Sequence, residues 1–498
     1  MRSAALHTLA ATLAGLVVRL SYVLASDFPL NDGGLFVVMT RELISAGLRI
    51  PITTTYNDLG IPFAYPPLGL YLSALITMAT RVDLIELFRW LPLLLSVACL
   101  PAFALLAHRL LGPRAARAAT YTYALVPASF AWPIMGGGLT RSLGLLFALL
   151  ALATLVRALA GTSRLDVLLA AVLSGLTALS HPNVAVFLAL SAVLVAVVRS
   201  RTRPGLARLV LVGAGAIAFA APWWLTVVAR HGIAPFTAAA IADRGGDLIV
   251  PAIGTLLRWN AWNEPLFPLV SALALAGVAI SLARRELLPA LWVVALAFVL
   301  PNQFEMLSAI PLAMLAGIGV AAASEIGVAP SAVRAIAITG IAYLTVAAML
   351  AFVGALEGLS AADRLAMNWV AQHTPPGARV LVVTTRPAET DAAGEWLPAL
   401  ALRASVVVFQ GAEWLPGVAA ERHAQHQRAA ACAQSDGDCL ERLAADGVRY
   451  DYVYLDSLSS SGHQMPASCC APLAEALRGD ARYSLAYDSA SVLIFERR

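Results

Sequence analysis

Long apolar blocks separated by short polar connections make up the first 355 residues of this sequence. Most blocks contain roughly 16–25 residues, which is the length that an α-helix needs to cross a lipid bilayer. The pattern therefore predicts an α-helical polytopic membrane protein. The eleven predicted transmembrane helices lie near residues 4–25, 90–107, 118–134, 139–156, 165–180, 183–198, 209–228, 266–283, 287–300, 306–323 and 335–355.

Two further helices are predicted in the segment between the first two spans. Residues 35–48 have an amphipathic pattern that ends near Gly47. Residues 66–79 are apolar, but this run has only about 14 residues, begins with two prolines and is followed by Arg81 and Asp83. That length and those flanks are typical of a helix at the membrane surface rather than of a span.

The distribution of arginine predicts the orientation of the helices. If residues 66–79 lie on the surface, the eleven spans place alternate connections on opposite faces of the membrane. The connections on the face of the N-terminus contain thirteen Arg and three acidic residues, counting Arg2, whereas those on the other face contain eight Arg and ten acidic residues. Basic residues are enriched in cytoplasmic loops, so the first set and the N-terminus are predicted to be cytoplasmic. The longest segments, 26–89, 229–265 and 356–498, then lie on the outer face of the plasma membrane.

The composition agrees with a membrane protein and excludes several functions. Of the 498 residues, 59% are hydrophobic and 13% are charged, against about 25% charged residues in soluble domains. The net charge of +4 gives no indication of a nucleic-acid partner, and every basic residue other than His is Arg. Without Lys the sequence contains neither a Walker A loop nor a residue for Schiff-base chemistry.

The C-terminal segment has the pattern of a soluble domain, with helical and strand-like stretches in alternation. A helix is predicted over 362–373, and further helices near 418–433 and 471–478. The strand-like runs are 379–384, 405–409, 451–455 and 491–495. We therefore divide the chain into a membrane domain, residues 1–355, and an extracytoplasmic α/β domain, residues 356–498.

Four of the five Cys residues lie in this C-terminal domain: Cys432, Cys439, Cys469 and Cys470. An even number of Cys in a domain outside the cell predicts one or two disulfides, and the spacing leaves their pairing open. Cys99 lies within a predicted span and is expected to be a buried, inert, small apolar residue.

The densest group of ionisable residues on the predicted outer face is in the first loop, which contains Asp27, Asp32 and Asp58. Asp32 directly precedes the amphipathic helix, so its carboxylate is expected near the membrane surface. Two roles are open for Asp32: it caps the helix, or it acts as a base. Arg19 lies near the outer end of the first span, where a charge is costly unless it pairs with a carboxylate or binds a lipid phosphate.

This arrangement resembles the GT-C superfamily of polytopic glycosyltransferases, such as the protein mannosyltransferases and aminoarabinose transferases. The resemblance rests on Arg19, on the loop with Asp32, on Tyr65-Pro66-Pro67-Leu68 before a surface helix, and on the soluble C-terminal domain. It implies an inverting transfer of one sugar from a polyprenyl-phosphate-linked donor, with Asp32 as the catalytic carboxylate. Its motifs lie within residues 19–72.

The second acidic group of the implied site is left open by the sequence. The family pattern is often Asp-Glu, whereas this chain has Asp32-Gly33. Asp27 or Asp58 is a candidate to replace the missing carboxylate. A divalent cation, Mg²⁺ or Mn²⁺, is a candidate cofactor whose ligands are unknown. No dinucleotide fingerprint follows a strand, so no other cofactor is predicted.

Sugar transfer also needs positive charge to stabilise the departing phosphate. Candidates on the outer side for binding the substrate are Arg19, Arg141, His181, Arg230 and Arg244. Arg141 follows the glycine run 136–138, which offers backbone N–H groups to an anion or only forms a turn. A structural role in a turn before Pro182 is the alternative for His181, and a solvated loop is the alternative for Arg244.

The sequence selects neither the sugar nor the acceptor, which is a lipid, a glycan or a protein. The catalytic subunit of oligosaccharyltransferase has a Trp-Trp-Asp motif in its soluble domain. In this chain the pair Trp223-Trp224 is followed by Leu225 and lies in a predicted span, so transfer of a whole oligosaccharide to Asn is not expected. A non-catalytic scaffold that binds a partner is an alternative, favoured by the missing second carboxylate. A lipid or sugar transporter is a second alternative, disfavoured because no internal repeat is visible.

Overall fold

The computed structural model describes residues 2–200, 202–244, 249–259, 262–325, 330–456 and 469–498, apart from the side chains of Arg2, Asp243, Arg244 and Pro330. It confirms a helical membrane protein with a small C-terminal sheet domain. Each predicted span coincides with at least one helix. These helices are α1 (Arg2–Leu24), α4 (Leu84–Leu110), α5 (Pro113–Leu125), α7 (Gly138–Ala160), α8 (Arg164–Ala178), α9 (Pro182–Arg199), α10 (Arg203–His231), α13 (Leu269–Arg284), α14 (Leu288–Val299), α15 (Phe304–Ala323) and α16 (Pro330–Leu350).

Seven helices in the described ranges are long and apolar enough to cross a membrane, judged by length and composition: α1, α4, α7, α9, α10, α15 and α16. The four other predicted spans are present as the shorter helices α5, α8, α13 and α14. A largely apolar core joins α1, α4, α5, α7, α9 and α15. The multi-pass architecture predicted from the apolar pattern is therefore confirmed.

The predicted span at 118–134 is interrupted between Leu125 and Ala131, shortly before the glycine run of the candidate active site. Helix α5 ends at Leu125 because the next residue, Val126, precedes Pro127 and is extended, with φ −69° and ψ 125°. A residue before proline is disfavoured in the α conformation. The short helix α6 (Ala131–Ile134) follows, and the glycine run then leads into α7.

Two long connections contain helices of their own. The first contains α2 (Gly34–Ser45) and α3 (Leu68–Thr80), and the second contains α11 (Ala234–Arg244) and α12 (Ile249–Arg258). Helix α3 is about 20 Å long at 1.5 Å per residue, which is too short to cross a bilayer. The prediction of a short helix over 66–79 is thus confirmed within two residues.

The C-terminal domain contains five strands and five helices. The helices are α17 (Ala361–His373), α18 (Ala392–Leu400), α19 (Val418–Cys432), α20 (Gly437–Ala445) and α21 (Ala471–Gly479). The strands are β1 (Arg379–Val383), β2 (Ala404–Ser405), β3 (Tyr452–Asp456), β4 (Tyr483–Asp488) and β5 (Val492–Arg497). The sheet order is β2-β1-β3-β5-β4, with β2, β1 and β3 parallel and β5 antiparallel to both β3 and β4.

Four elements of this domain differ from the sequence-based assignment: β2, β4, α18 and α20. The run 405–409 contains only one strand residue, Ser405, because β2 consists of Ala404 and Ser405. Strand β4 was not predicted, because it is a half-exposed edge strand with little apolar character. Helices α18 and α20, of nine residues each, were also not predicted. A disulfide joins Cys432 to Cys439, a second joins Cys469 to Cys470, and Cys99 is buried and unpaired as predicted.

The C-terminal domain packs directly on the first long connection. One apolar core contains Phe28, Leu35 and Tyr56 from that connection together with Trp396 and Val380 from the C-terminal domain. The Trp396 ring lies 4.6 Å from that of Phe28, and its Nε1 donates to the Asn31 carbonyl at 2.9 Å. The change in composition near residue 355 therefore does not separate two independent cores.

Candidate active site

Asp32 lies in the turn before α2, but its side chain does not cap that helix. The N-cap residue is Gly33, which has no side chain, and Asp32 turns towards α7 instead. Its Oδ1 accepts a hydrogen bond from the Gly137 amide at 2.9 Å, and its Oδ2 pairs with Arg141 at 3.0 Å. Of the two roles that the sequence left open, the carboxylate does not perform capping.

The glycine run holds the Asp32 carboxylate at close range. A Cβ on Gly137 would lie 2.7 Å from Asp32 Oδ2, and one on Gly136 would lie 2.1 Å from the Asp32 carbonyl oxygen. The amides of Gly136 and Gly138 donate to the carbonyls of Leu30 and Met135. The anion that this run binds is thus the protein's own carboxylate, and the three amides are not available to a phosphate.

Arg141 lies in the first turn of α7, between Asp32 and an aromatic ring. Its guanidinium lies 5.2 Å from the centroid of the Trp132 ring. The side chains of Arg141 and Asp32 keep 19% and 12% of their surface exposed, so the pair is largely but not completely buried. Such a pair can meet a ligand from one side while the protein fixes its geometry from the other.

Glu395, from α18 of the C-terminal domain, supplies a second carboxylate beside Asp32. It is 3% exposed, and its two oxygens accept from the Gly33 amide at 3.0 and 3.1 Å. Glu395 therefore takes the place at the start of α2 that a capping side chain would occupy. Burial and the nearby charge of Asp32 raise the pKa of Glu395 to about 8.

The backbone at position 33 explains why the acidic pair is not formed by neighbouring residues. Gly33 has φ +134°, a conformation that favours glycine, and a Cβ there would lie 3.1 Å from the Trp396 ring and 3.2 Å from Gly136. A glutamate at this position would be strained. The second carboxylate comes from the other domain instead.

His181 and Tyr65 lie close to each other and in the field of Arg141. The His181 ring precedes α9 and is 6% exposed, with its centroid 6.3 Å from that of Tyr65. The Tyr65 hydroxyl lies 3.0 Å from the Thr140 hydroxyl. Burial and the charge of Arg141 lower the pKa of His181 to about 3, so the imidazole is neutral at physiological pH.

Glu413 and Trp414, in a turn of the C-terminal domain, also lie near Tyr65 and Arg141. The Trp414 ring centroid lies 5.9 Å from that of Tyr65. Burial raises the pKa of Glu413 to about 7, while backbone amides and the charge of Arg141 oppose this shift. The structure therefore surrounds Arg141 with groups from the first connection, two membrane helices and the C-terminal domain.

Arg19 is buried away from these groups. It is 0% exposed, and its three nitrogens donate to Ser96 Oγ at 3.0 Å, Gly15 O at 3.1 Å, Ala124 O at 2.7 Å and Ser129 Oγ at 3.2 Å. Neither partner proposed from the sequence, a carboxylate or a lipid phosphate, is needed to satisfy it. These contacts indicate a role in the helix bundle.

Asp27 and Asp58 do not complete the Asp32 site. Asp27 is exposed and forms two hydrogen bonds with Arg364, at 2.9 and 2.5 Å, which lower its pKa. Asp58 is exposed beside a separate cavity of about 230 Å³, which Arg403 also lines. Glu395, and neither of these two residues, occupies the position beside Asp32.

The second long connection is described only in part. Arg244 is the last residue of α11, and its side chain, together with all of residues 245–248, lies outside the described residues. Arg230 donates to the carbonyls of Ile50 and Pro51 at 2.8 and 3.0 Å, so it ties α10 to the first connection. A cavity of about 430 Å³ near Glu264 lies away from Asp32.

The residues around Asp32 do not fit a divalent cation. One carboxylate oxygen of Asp32 accepts from an amide and the other pairs with the Arg141 guanidinium, whose positive charge disfavours a second cation there. Within the described ranges, no group of three or more His, Cys, Asp or Glu side chains is arranged to hold a metal ion. The candidate Mg²⁺ or Mn²⁺ site is therefore not supported by this arrangement.

Sequence reasoning did not identify Glu395, Glu413 and Trp414. A signal was present, since each Glu is the single charge in a short apolar stretch, Ala392–Leu400 for Glu395 and 411–415 for Glu413. An isolated carboxylate in such a stretch is expected to be buried against a specific partner.

Comparison with solved structures identifies the fold. The chain is similar to an Archaeoglobus fulgidus oligosaccharyltransferase in complex with zinc and sulfate, with TM-score 0.62 and 16% identity over 90% of this chain and 68% of that one. It is similar to the mycobacterial arabinofuranosyltransferase AftD, with TM-score 0.55 and 16% identity over 98% of this chain and 40% of that one. ArnT from Cupriavidus metallidurans bound to undecaprenyl phosphate gives TM-score 0.52 and 15% identity over 97% of both chains.

No protein-family profile and no curated protein matches the sequence itself. At identities near 15% the structural similarity establishes the fold and not the substrates. All three structural neighbours are membrane glycosyltransferases of the GT-C superfamily. The predicted resemblance is therefore confirmed, and this chain has the GT-C fold.

Proposed function

We propose that this protein is a glycosyltransferase that moves a sugar from a polyprenyl-phosphate-linked donor to an acceptor hydroxyl, with Asp32 as the general base. The observation that carries this proposal is the partly open pair of Asp32 and Arg141, 3.0 Å apart at the start of a membrane helix. A base and a cation side by side are what this transfer requires.

The two members of the pair have separate roles in the bond exchange. The acceptor oxygen attacks the anomeric carbon of the sugar while Asp32 takes the hydroxyl proton. The bond from that carbon to the phosphate oxygen breaks, and its electron pair leaves with the polyprenyl phosphate. Arg141 stabilises this departing anion with its other N–H groups, since within the described residues only its Nη1 donates a hydrogen bond.

The structural neighbours support a lipid phosphate donor without defining the acceptor. One neighbour is bound to undecaprenyl phosphate, and another to a dolichol phosphate and an inhibitory peptide. The acceptor of this protein is a lipid, a glycan or a protein.

The arginines at the opposite end of the bundle support an extracytoplasmic location for the site. Arg157 pairs with Asp166 at 3.0 Å, and Arg199 and Arg208 donate to carbonyls of Leu110 and Ala158. Arg157 is sixteen residues beyond Arg141 on α7, or about 24 Å along the axis. We place the Arg-rich end and the N-terminus in the cytoplasm, and Asp32 and the C-terminal domain outside.

Glu395 bears on the alternative of a non-catalytic scaffold. That alternative was favoured because the first connection lacks a second carboxylate beside Asp32. The C-terminal domain supplies one, so the missing residue in the motif does not argue for loss of activity.

The test is transfer of radiolabelled sugar from a set of polyprenyl-phosphate sugars in membranes that contain the full chain. We expect Asp32→Asn to lower the transfer rate by about 100-fold or more, because the base is lost. Asp488→Asn is the matched control, since its surface ion pair with Arg478 spans 3.8 Å and contributes little. Equal rates for Asp32→Asn and wild type would remove Asp32 as the base, and absence of transfer by wild type across the set would refute sugar transfer.

A further inference from the structure

Three buried polar atoms near Tyr65 have no hydrogen-bond partner within the described part of the chain. They are Nδ1 of His181, Nε1 of Trp414 and Oε2 of Glu413. His181 and Trp414 are only 6% and 4% exposed. Because a buried polar atom normally has a partner, a group of unpaired atoms beside a proposed active site indicates that a ligand supplies the missing partners.

Tyr65 and Arg141 connect the three groups. The Tyr65 ring lies 6.3 Å from the ring of His181 and 5.9 Å from that of Trp414. Burial raises the pKa values of Tyr65 and Glu413 and lowers that of His181, and the charge of Arg141 opposes the first two shifts and adds to the third, so all three groups lie in the field of the same guanidinium.

A row of aromatic rings lies next to these atoms. The rings of Phe36, Tyr65, Trp414, Phe236 and Trp223 follow one another at centroid distances of 4.7, 5.9, 6.4 and 5.6 Å. The row joins the first connection, the C-terminal domain, α11 of the second connection and α10. Small-molecule sites commonly combine such aromatic walls with a few well-placed polar groups.

The chemistry of the unpaired atoms separates this place from a phosphate site. The indole N–H is a donor, the carboxylate oxygen is an acceptor, and the neutral imidazole nitrogen is either, depending on the tautomer. None of the three is a cation, so none of them offers a positive charge to an anionic phosphate. Hydroxyl groups, which both donate and accept, match this set.

We propose that His181, Glu413 and Trp414 form a subsite that recognises the hydroxyl groups of a neutral sugar ring beside the Asp32–Arg141 pair. The inference rests on the proposed function and adds the residues that select the ring. The ring belongs either to the donor or to a glycan acceptor, since both present the same hydroxyl chemistry. The C-terminal domain thus takes part in substrate selection.

The test compares ligand binding with stability in the purified full chain. Trp414→Phe keeps one aromatic ring but removes the unpaired N–H together with part of the indole ring, so we expect some loss of thermal stability without ligand, as in the control variant. Binding of a sugar-bearing polyprenyl phosphate is expected to weaken about five- to tenfold, because a hydrogen bond to the substrate is lost. Trp369→Phe is the control, since Trp369 stacks on His373 at 4.9 Å, outside this cluster.

Three probes identify the source of the ring: sugar-free polyprenyl phosphate, the same lipid with hexoses or pentoses, and methyl glycosides of those sugars as acceptor analogues. Weakened binding of only the sugar-bearing lipid assigns the subsite to the donor. A selective rise in KM or Kd for the glycosides assigns it to the acceptor. Glu413→Gln should reproduce the same selectivity, while Glu475→Gln, on the exposed face of α21, should not change binding.

The subsite and the proposed function fail in different ways. Equal weakening of sugar-free and sugar-bearing lipid, or no change in binding by Trp414→Phe and Glu413→Gln, would overturn the subsite and leave a lipid-phosphate site intact. Failure of wild type to bind any polyprenyl phosphate would contradict the proposed function. In that case, binding of the methyl glycosides that is weakened by Trp414→Phe would still support the subsite. Absence of glycoside binding, or binding that Trp414→Phe does not change, would reject it.

Discussion

Arg19 and Arg141 are two arginines in membrane helices whose surroundings differ. Arg19 is fully buried, and each of its nitrogens donates to a backbone carbonyl or a serine hydroxyl. Arg141 keeps 19% of its side chain exposed, and among the described residues it donates one hydrogen bond, to Asp32. Sequence position alone made both of them candidates for binding substrate.

The comparison shows how the completeness of hydrogen bonding distinguishes a structural group from a functional one. Arg19 uses four of the five N–H groups of its guanidinium, so it has little to offer a ligand, and its removal leaves four acceptors without this partner. A partly satisfied guanidinium beside a carboxylate can take up a ligand without breaking the fold. The same contrast holds for His181, Trp414 and Glu413, whose unpaired atoms lie near Arg141.

The largest effects are expected when each arginine is replaced by glutamine: one variant should lose sugar transfer and the other should lose stability. We expect Arg141→Gln to lower sugar transfer by about 100-fold or more, with a smaller loss of stability because the pair is partly solvated. Arg19→Gln is expected to cost about 2–4 kcal/mol of stability, with little change in rate per folded molecule. Thermal unfolding in detergent and label transfer measure the two quantities, and the reverse assignment of effects would contradict this comparison.

Adding one methyl group at Gly137 should damage the site next most strongly. The Cβ of Gly137→Ala would lie 2.7 Å from Asp32 Oδ2 and would displace the carboxylate, so transfer is expected to fall about 10- to 100-fold. Gly213→Ala in α10 is the control, because its Cβ meets no atom within 4 Å and alanine favours helix. A rate for Gly137→Ala equal to that of Gly213→Ala would show that the amide contact does not position Asp32.

The smallest expected effect is a pH-dependent change in stability at Glu395. Its pKa is raised from 4.5 to about 8 by burial and by Asp32, with Arg141 and the amides of Gly33 and Leu35 opposing the shift. The folded state therefore retains a proton that the unfolded state has released, and wild-type stability falls as pH rises from about 4.5 to about 8.

Glu395→Gln should remove this slope, because the amide does not ionise. Its unfolding temperature relative to wild type should rise by a few degrees from pH 5 to pH 8, at about 2–4 °C per kcal/mol. Thermal unfolding across this range is the measurement, with Glu475→Gln as the control. A constant difference between Glu395→Gln and wild type would show that Glu395 is ionised throughout.

The apolar pattern was sufficient to predict the membrane helices, the short helix at 66–79 and the α/β character of the C-terminal domain. Asp32, Arg141 and His181 were identifiable one by one, because a polar residue at the edge of a long apolar run is costly and therefore informative. Their meeting was not predictable, since Asp32 is 109 residues from Arg141 and Gly33 is 362 residues from Glu395. Local patterns contain no information about contacts at such separations.

By itself, the sequence determined which segments avoid water, because burial in a bilayer depends on the length and polarity of a run of residues. Only the tertiary structure decided that Arg19 is hydrogen-bonded within the helix bundle, that Asp32 binds a glycine amide instead of capping α2, and that Glu395 of the C-terminal segment bonds to the start of α2 next to Asp32. Those outcomes depend on which polar groups find partners at close range, and this is fixed only when distant segments pack together.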